Sequence, residues 1–235
     1  SQQLANPIDH ALLNIYSQLY VYPQEKVYVQ TDRPYYLTGE RMFFRAFLLH
    51  ASTLKPSTLS RYVYVELISP LDTAVLRTKI RIDESNLFYG SLLLPESLPE
   101  GHYRLRSYTR YMENMGEAYF FTRPVYIADP KSAVVEVETE FDYSSRRQVG
   151  VALCFKDKQQ SSLRVPQQLA YKSGKSSKTK IAKPNENGRI SVKYDVEDAN
   201  PSRSLLISFQ DTTHSFKKYI DRKSTRLNSS HGYIS

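Results

Sequence analysis

EKVYVQTDRPYYLTGERMFFRAFLL, residues 25–49, reads as strand, turn and strand. Val27 and Val29 alternate with Tyr28 and Gln30 on the first strand. Met42, Phe44, Ala46 and Leu48 alternate with Phe43, Arg45, Phe47 and Leu49 on the second. Pro34 fixes φ and has no N–H to donate, and Gly39 takes a positive φ at little cost, so residues 32–40 turn the chain. The stretch is the opening hairpin of a β-sandwich. Asp32 and Arg33 read as a turn carboxylate that bonds local backbone amides and a flanking cation, not as a catalytic pair. Arg45, on an otherwise apolar strand, predicts an ion pair or hydrogen bonds to loop carbonyls.

The chain on either side agrees with an all-β molecule. Nineteen Tyr and ten Phe with no Trp and eight Gly favour the half-buried pleated surface of sheets. Alternation continues over residues 62–68, 73–82, 87–94, 102–109 and 117–128, which makes seven strands in a first sandwich of immunoglobulin-like size. In 73–82, Ala74, Leu76, Thr78, Ile80 and Ile82 share one face, and Val75, Arg77, Lys79 and Arg81 the other. Tyr103, two residues after Gly101 at a strand entrance, has the placing of a tyrosine corner. Asp129-Pro130 is the expected boundary, joining the sandwiches by a brief linker. Beyond it, residues 133–141, 148–155, 168–172, 178–182, 189–194 and 204–210 are candidate strands of a second sandwich, which would lack its final strand if it stopped at Ile220.

The expected organisation is therefore residues 1–22 as a helix or linker, 23–130 and 131–220 as tandem sandwiches, and 221–235 as foreign sequence. In the first segment Asn6 is a plausible N-cap, Pro7 takes the first helical position, and Ile8, Leu12, Ile15 and Leu19 form one stripe. We expect this helix to pack over one end of the sandwich, the alternative being a linker or docking helix from a preceding domain. Ser1-Gln2-Gln3 is neither a Met start nor a basic apolar leader, and reads as a mature or truncated N-terminus.

Residues 221–235, DRKSTRLNSSHGYIS, follow codon for codon the translation of a common sequencing-library adapter. They are set aside with their formal glycosylation sequon, and the natural frame is expected to continue past Ile220. Removing Asp221, Arg222, Lys223 and Arg226 takes the net charge from +8 to +6. Residues 1–130 hold thirteen basic and thirteen acidic side chains and 131–220 hold sixteen and ten, so the excess lies in the second half.

The opening hairpin also carries a resemblance. Thr31-Asp32-Arg33-Pro34-Tyr35-Tyr36, then Thr38-Gly39-Glu40, then Phe44-Arg45 resembles the TDKPxYxPG…R signature of the macroglobulin domain near the N-terminus of the alpha-2-macroglobulin superfamily. SRYVYVELI at 60–68 and LPEGHYRLRSYT at 98–109 are similar to the versions in Bacteroides-type surface proteins. Arg33 stands where Lys is usual and Thr38 where Pro is usual in the animal proteins, and Tyr111 where the bacterial versions tend to have Trp. The resemblance covers residues 25–130. It implies tandem macroglobulin-type sandwiches in which Thr31, Asp32, Arg33, Pro34, Tyr36, Gly39, Arg45, Gly101 and Tyr103 are structural motif residues. It also implies a larger bacterial cell-envelope protein, periplasmic or on the outer-membrane surface, with other domains of the same chain as partners and envelope proteins or glycans as further ones. In the bacterial relatives such domains precede a TonB-dependent-receptor plug-type region. The alternative is a fragment of a bacterial alpha-2-macroglobulin-like endopeptidase inhibitor. That needs a bait region and usually a thioester, whose CGEQ motif this stretch lacks.

No catalytic constellation assembles, and no cofactor or metal is expected. His10, His50, His102 and His214 are scattered singly without an HExxH pattern. Cys154, the single cysteine, excludes an internal disulfide and reads as a packed strand thiol. No apolar run approaches the ~20 residues of a membrane helix. KSGKSSKTKIAK, residues 172–183, concentrates Lys172, Lys175, Lys178, Lys180 and Lys183 around a Gly-Ser turn. A solvated hairpin is the default for it, and a grip on an anionic partner the sharper reading. The lysines have no aromatic residues between them, which argues against stacking on nucleic-acid bases. A third functional reading is a carbohydrate-binding sandwich that uses Tyr28, Tyr62, Tyr64, Tyr108 and Tyr111, although cross-strand aromatic packing is the commoner use.

Overall fold

The inward residues of the opening hairpin enter one core: Val27, Val29, Met42, Phe44, Ala46 and Leu48 are all buried. In the computed structural model, which describes residues 7–20, 25–85, 87–160, 163–175, 177–196, 204–211 and 215–221, they sit in the first of two tandem sandwiches. Its strands are β1 (Glu25–Thr31), β2 (Tyr35–Leu37), β3 (Arg41–His50), β4 (Tyr62–Ile68), β5 (Ala74–Arg81), β6 (Phe88–Leu93), β7 (Gly101–Tyr108) and β8 (Phe121–Ala128). They form a three-stranded sheet, β1-β3-β6, facing a five-stranded one, β2-β8-β7-β4-β5. Apart from the parallel β2–β8 pair, the pairings of these two sheets are antiparallel.

The connection between β1 and β3 does more than turn. Tyr35–Leu37 crosses to the opposite sheet and pairs with Tyr126–Ala128, so the hairpin staples the two layers and buries Tyr36 between them. The three residues of β2 are too few to show a period, which is why sequence alone merges them with the turn. After β7, Thr109 caps a single helical turn, α2 (Arg110–Glu113; α1 is the N-terminal helix, Pro7–Tyr20), and the segment expected as one strand over 117–128 divides into a 3₁₀ turn, Glu117–Tyr119, and β8.

The second sandwich contains β9 (Val135–Asp142), β10 (Gln148–Asp157), β11 (Leu169–Lys172), β12 (Lys180–Ala182), β13 (Ile190–Asp195), β14 (Leu205–Gln210) and β15 (Ser215–Ile220). The sheet β13-β10-β9 faces β12-β11-β14-β15 around a separate core that includes Val151, Leu153, Phe155, Ile207 and Phe216. Phe155, Phe209 and Phe216 pack there with ring centroids 4.9–5.7 Å apart. The seventh strand, β15, is one that sequence alone did not propose. Its adjacent Lys217 and Lys218 break the alternation, yet Phe216, Tyr219 and Ile220 are buried.

Helix α1 differs from expectation in its packing. Ile8, Leu12, Leu13 and Ile15 are exposed, so the stripe does not cover an end of the sandwich. An apolar stripe specifies that a helix is amphipathic, not which surface it meets. Asn6 and the side chain of Leu19 lie outside the described residues, as do His214 and residues 222–235. Among the described residues no helix is long and apolar enough to cross a membrane.

Candidate functional site

The motif residues of the opening hairpin, Arg45 excepted, converge around Tyr36. Asp32 Oδ1 accepts from the Tyr36 hydroxyl at 2.5 Å and from Phe43 N–H at 3.1 Å. The same hydroxyl accepts from Arg33 N–H at 3.1 Å, and Thr31 Oγ1 donates to Arg33 O at 2.9 Å. The Arg33 guanidinium lies 4.8 Å from the Tyr36 ring centre and pairs with Glu40, 3.0 Å from Oε2. Glu40 Oε2 in turn accepts from Leu37 N–H at 2.8 Å, and these contacts hold its carboxyl below the usual range, the Leu37 bond first. Gly39, at φ 86°, donates its N–H to Leu94 O across the sheet end at 2.8 Å. The result is a hydrogen-bonded knot around Tyr36 rather than a reactive pair.

Arg45 lies apart from this knot and differs from expectation. Among the described residues it has no ion pair or carbonyl bond; its guanidinium rests on rings, 4.5 Å from the Phe47 centre and 5.5 Å from that of Tyr89. A planar guanidinium on a strand face can stack on neighbouring rings, which support it but supply no carboxylate.

Gly101 and Tyr103 hold the junction between the sandwiches. The Tyr103 hydroxyl donates to Pro99 O at 2.7 Å, as in a tyrosine corner, and its ring meets Tyr219 of β15 edge-on at 5.6 Å. A Cβ on Gly101 would stand 2.8 Å from Tyr219 Cβ, so the absence of a side chain there admits the second sandwich. Tyr219 N–H donates to Glu100 O at 2.7 Å. The buried Glu100 carboxylate accepts from Asp129 N–H at 3.2 Å and pairs with Lys218 at 3.1 Å. Burial first, and Glu100 second, push the Tyr126 hydroxyl well above its ordinary value. Ser132 Oγ closes the join: its one proton lies within reach of Asp129 Oδ2 at 2.9 Å and Lys217 O at 3.2 Å, and it accepts from Lys217 N–H at 3.4 Å. A cleft of about 310 Å³ opens beside it between Glu96, Leu98, Lys131 and Lys217. The connection from β8 to β9, residues 129–134, is held by these buried hydrogen bonds.

Two further buried carboxylates, Glu25 and Glu66, escaped sequence reading. Glu25 accepts from Ser57 Oγ, Ser60 N–H, Ser60 Oγ and Thr109 Oγ1 at 2.7–3.1 Å, tying the start of β1 to the end of β7. Glu66, on the outer face of β4, receives Arg106 Nε and Nη2 at 3.0 and 2.6 Å and the Tyr108 hydroxyl at 2.7 Å. Tyr64, Tyr108 and Phe120 stack beside it at 5.4 and 4.3 Å. Tyr64 and Tyr108 are buried, which removes both from the set of exposed rings proposed for sugar. Tyr28 and Tyr62 stay exposed, and Tyr111 is half-buried.

The lysine segment forms the hairpin of β11 and β12. Lys175, Lys178, Lys180 and Lys183 are exposed and Lys172 is half-buried. Ser177 Oγ organises the tip, accepting from Gly174 N–H at 2.8 Å and donating to Gly174 O at 2.9 Å. β12 is an edge of its sheet, a position where lysines commonly oppose pairing with another chain. Cys154 is not packed in the core. It points outward from β10, half-buried in a cleft with Glu138, Glu140 and Arg189, while Leu153 and Phe155 on either side face inward. Among the described residues no group of three or more His, Cys, Asp or Glu is placed to hold a metal ion.

Residues 26–121 match the MG2 domain family. Among solved structures, trypsin-activated alpha-2-macroglobulin from Escherichia coli aligns at 10% identity, covering 84% of this chain and 16% of that one, with a TM-score of 0.38. Salmonella alpha-2-macroglobulin reacted with methylamine aligns at 11% identity over 84% of this chain and 14% of that one, also at 0.38. The D0–D1 domain of intimin aligns at 14% identity over 84% and 98%, at 0.30. The chain thus spans about a sixth of the E. coli macroglobulin. No curated protein matches.

Proposed function

We propose that this chain, carrying an MG2 domain over residues 26–121, is a non-catalytic part of a larger bacterial alpha-2-macroglobulin-like protein of the cell envelope. The observation that carries the reading is that match, over a sandwich whose motif residues Asp32, Arg33 and Tyr36 bond to one another and so have a structural use. The chain's work is mechanical: it sets two sandwiches in a fixed relation and presents their outer faces to the rest of the parent protein. Endopeptidase inhibition is then a property of the parent, through a bait segment that a protease cuts. Placement ahead of a TonB-dependent-receptor plug-type region draws no support from the comparisons, so the inhibitor-type parent takes precedence.

The test is a trapping assay with trypsin. The full-length parent is expected to be cleaved at one exposed segment and to shield the bound protease from large substrates, whereas residues 1–220 alone leave trypsin activity unchanged. A parent that is neither cleaved at one segment nor able to shield the protease removes the inhibitor reading.

A further inference from the structure

The outer face of the β1-β3-β6 sheet is aromatic, cationic and largely exposed, with Phe121 of β8 packed edge-on against Tyr28 at 5.4 Å at one margin. Tyr28, Phe43 and Tyr89 are 54%, 55% and 54% exposed, and the register sets Tyr28 opposite Phe47 and Arg45 opposite Tyr89. The Tyr28 and Phe47 rings stand 6.5 Å apart, with the Arg45 guanidinium over Phe47 and within reach of Tyr89. Phe43, Arg45 and Phe47 follow one another on the same side of β3 at about 7 Å intervals, twice the rise of a strand residue. Lys26 and Arg41 add charge at the margins, and no outward-facing residue of these three strands is acidic. Arg45 Nε is buried from solvent and has no hydrogen-bond partner among the described residues. A cation desolvated on one side by rings, and without an ion pair among the described residues, attracts an anion more strongly than one in water.

We propose that this face binds an acidic polysaccharide, with hexuronic acid units laying their C–H faces on Tyr28, Phe43 and Tyr89 and their carboxylates against Arg45. Charge complementarity selects an anion, and the row of rings selects a partner with repeated flat faces. A protein partner would instead place anchor side chains in pockets, and this face is a sheet surface. The site goes beyond the proposed role in a macroglobulin-like parent and does not depend on it, because binding is a property of this chain alone.

The probe is polygalacturonate, titrated calorimetrically against residues 1–220 at low ionic strength. Neutral dextran and an oligothymidylate serve as comparators. Polygalacturonate is expected to bind and dextran not to bind. Tyr89→Ser and Arg45→Met are each expected to weaken binding about tenfold, the loss of roughly one ring or charge contact, while Lys180→Ser leaves it unchanged. Tyr28→Ser, at a second exposed ring, supplies the same reading if Arg45→Met disturbs folding, and unfolding midpoints of all variants are compared with the wild type. Absence of polygalacturonate binding overturns the proposal, as does equal binding by Tyr89→Ser and Tyr28→Ser. Tighter binding of the oligothymidylate also overturns it, in favour of single-stranded nucleic acid.

Discussion

Asp32 Oδ1 takes two hydrogen bonds at once, and the hydroxyl of Tyr36 gives one and receives another. Tyr36 is fully buried, so this hydroxyl meets no water when its partners are lost. Hydrogen bonds to charged groups contribute about 1.5–3 kcal/mol. Tyr36→Phe is therefore expected to lower the unfolding free energy in urea by about 2 kcal/mol. An unchanged midpoint would mean that the knot is a consequence of the fold and not a support of it. The members of this knot were legible in the sequence because they lie within twelve residues of one another, and Pro34 and Gly39 mark the turn. Glu25 was not legible, since one of its partners is Thr109, 84 positions away. Arg45 was legible as unusual but not in its contacts, because cross-strand neighbours depend on register.

At the scale of elements, two-residue alternation located most strands, and it failed where its physical basis failed. The short β2 has too few residues for a period, and β15 places two lysines side by side. β15 matters most, because its Tyr219 seats against Gly101 and Tyr103 of β7 and joins the core of the other sandwich. Gly101→Ala is expected to destabilise the chain by about 1–3 kcal/mol through that overlap. In a Tyr219→Ala background the same change is expected to cost much less. A double-mutant cycle by denaturant unfolding measures the difference, and additive effects would show that the contact does not constrain residue 101. Nothing in the sequence near Gly101 announces this partner, since a glycine before a strand is equally well explained by a turn.

For the whole molecule, the junction and the outer faces are what the sequence withheld, because both depend on how the sheets assemble. The buried tyrosines give the assembled molecule a pH signature. Burial first, and the Glu66 contact second, push the Tyr108 hydroxyl from 10.0 up to about 12. Burial likewise raises Tyr103 and Tyr219. Between pH 10 and 12 the unfolded chain has released a proton that folded Tyr108 still holds, so stability falls as pH rises through that window. Below pH 10 the contribution of the neutral hydroxyl is complete. The stability difference between wild type and Tyr108→Phe is therefore expected to close as the pH is raised from 10 to 12, measured by urea unfolding at each pH. A constant difference would mean that Tyr108 titrates normally.

The central claim is that this pair of sandwiches belongs to a larger macroglobulin-type inhibitor, and the most direct test is the sequence of the source locus read onward from the codon of Ile220. The account predicts an open frame that continues through further macroglobulin-type domains to a bait segment. A frame that runs instead into a TonB-dependent-receptor plug-type region would contradict it and make the chain an envelope scaffold.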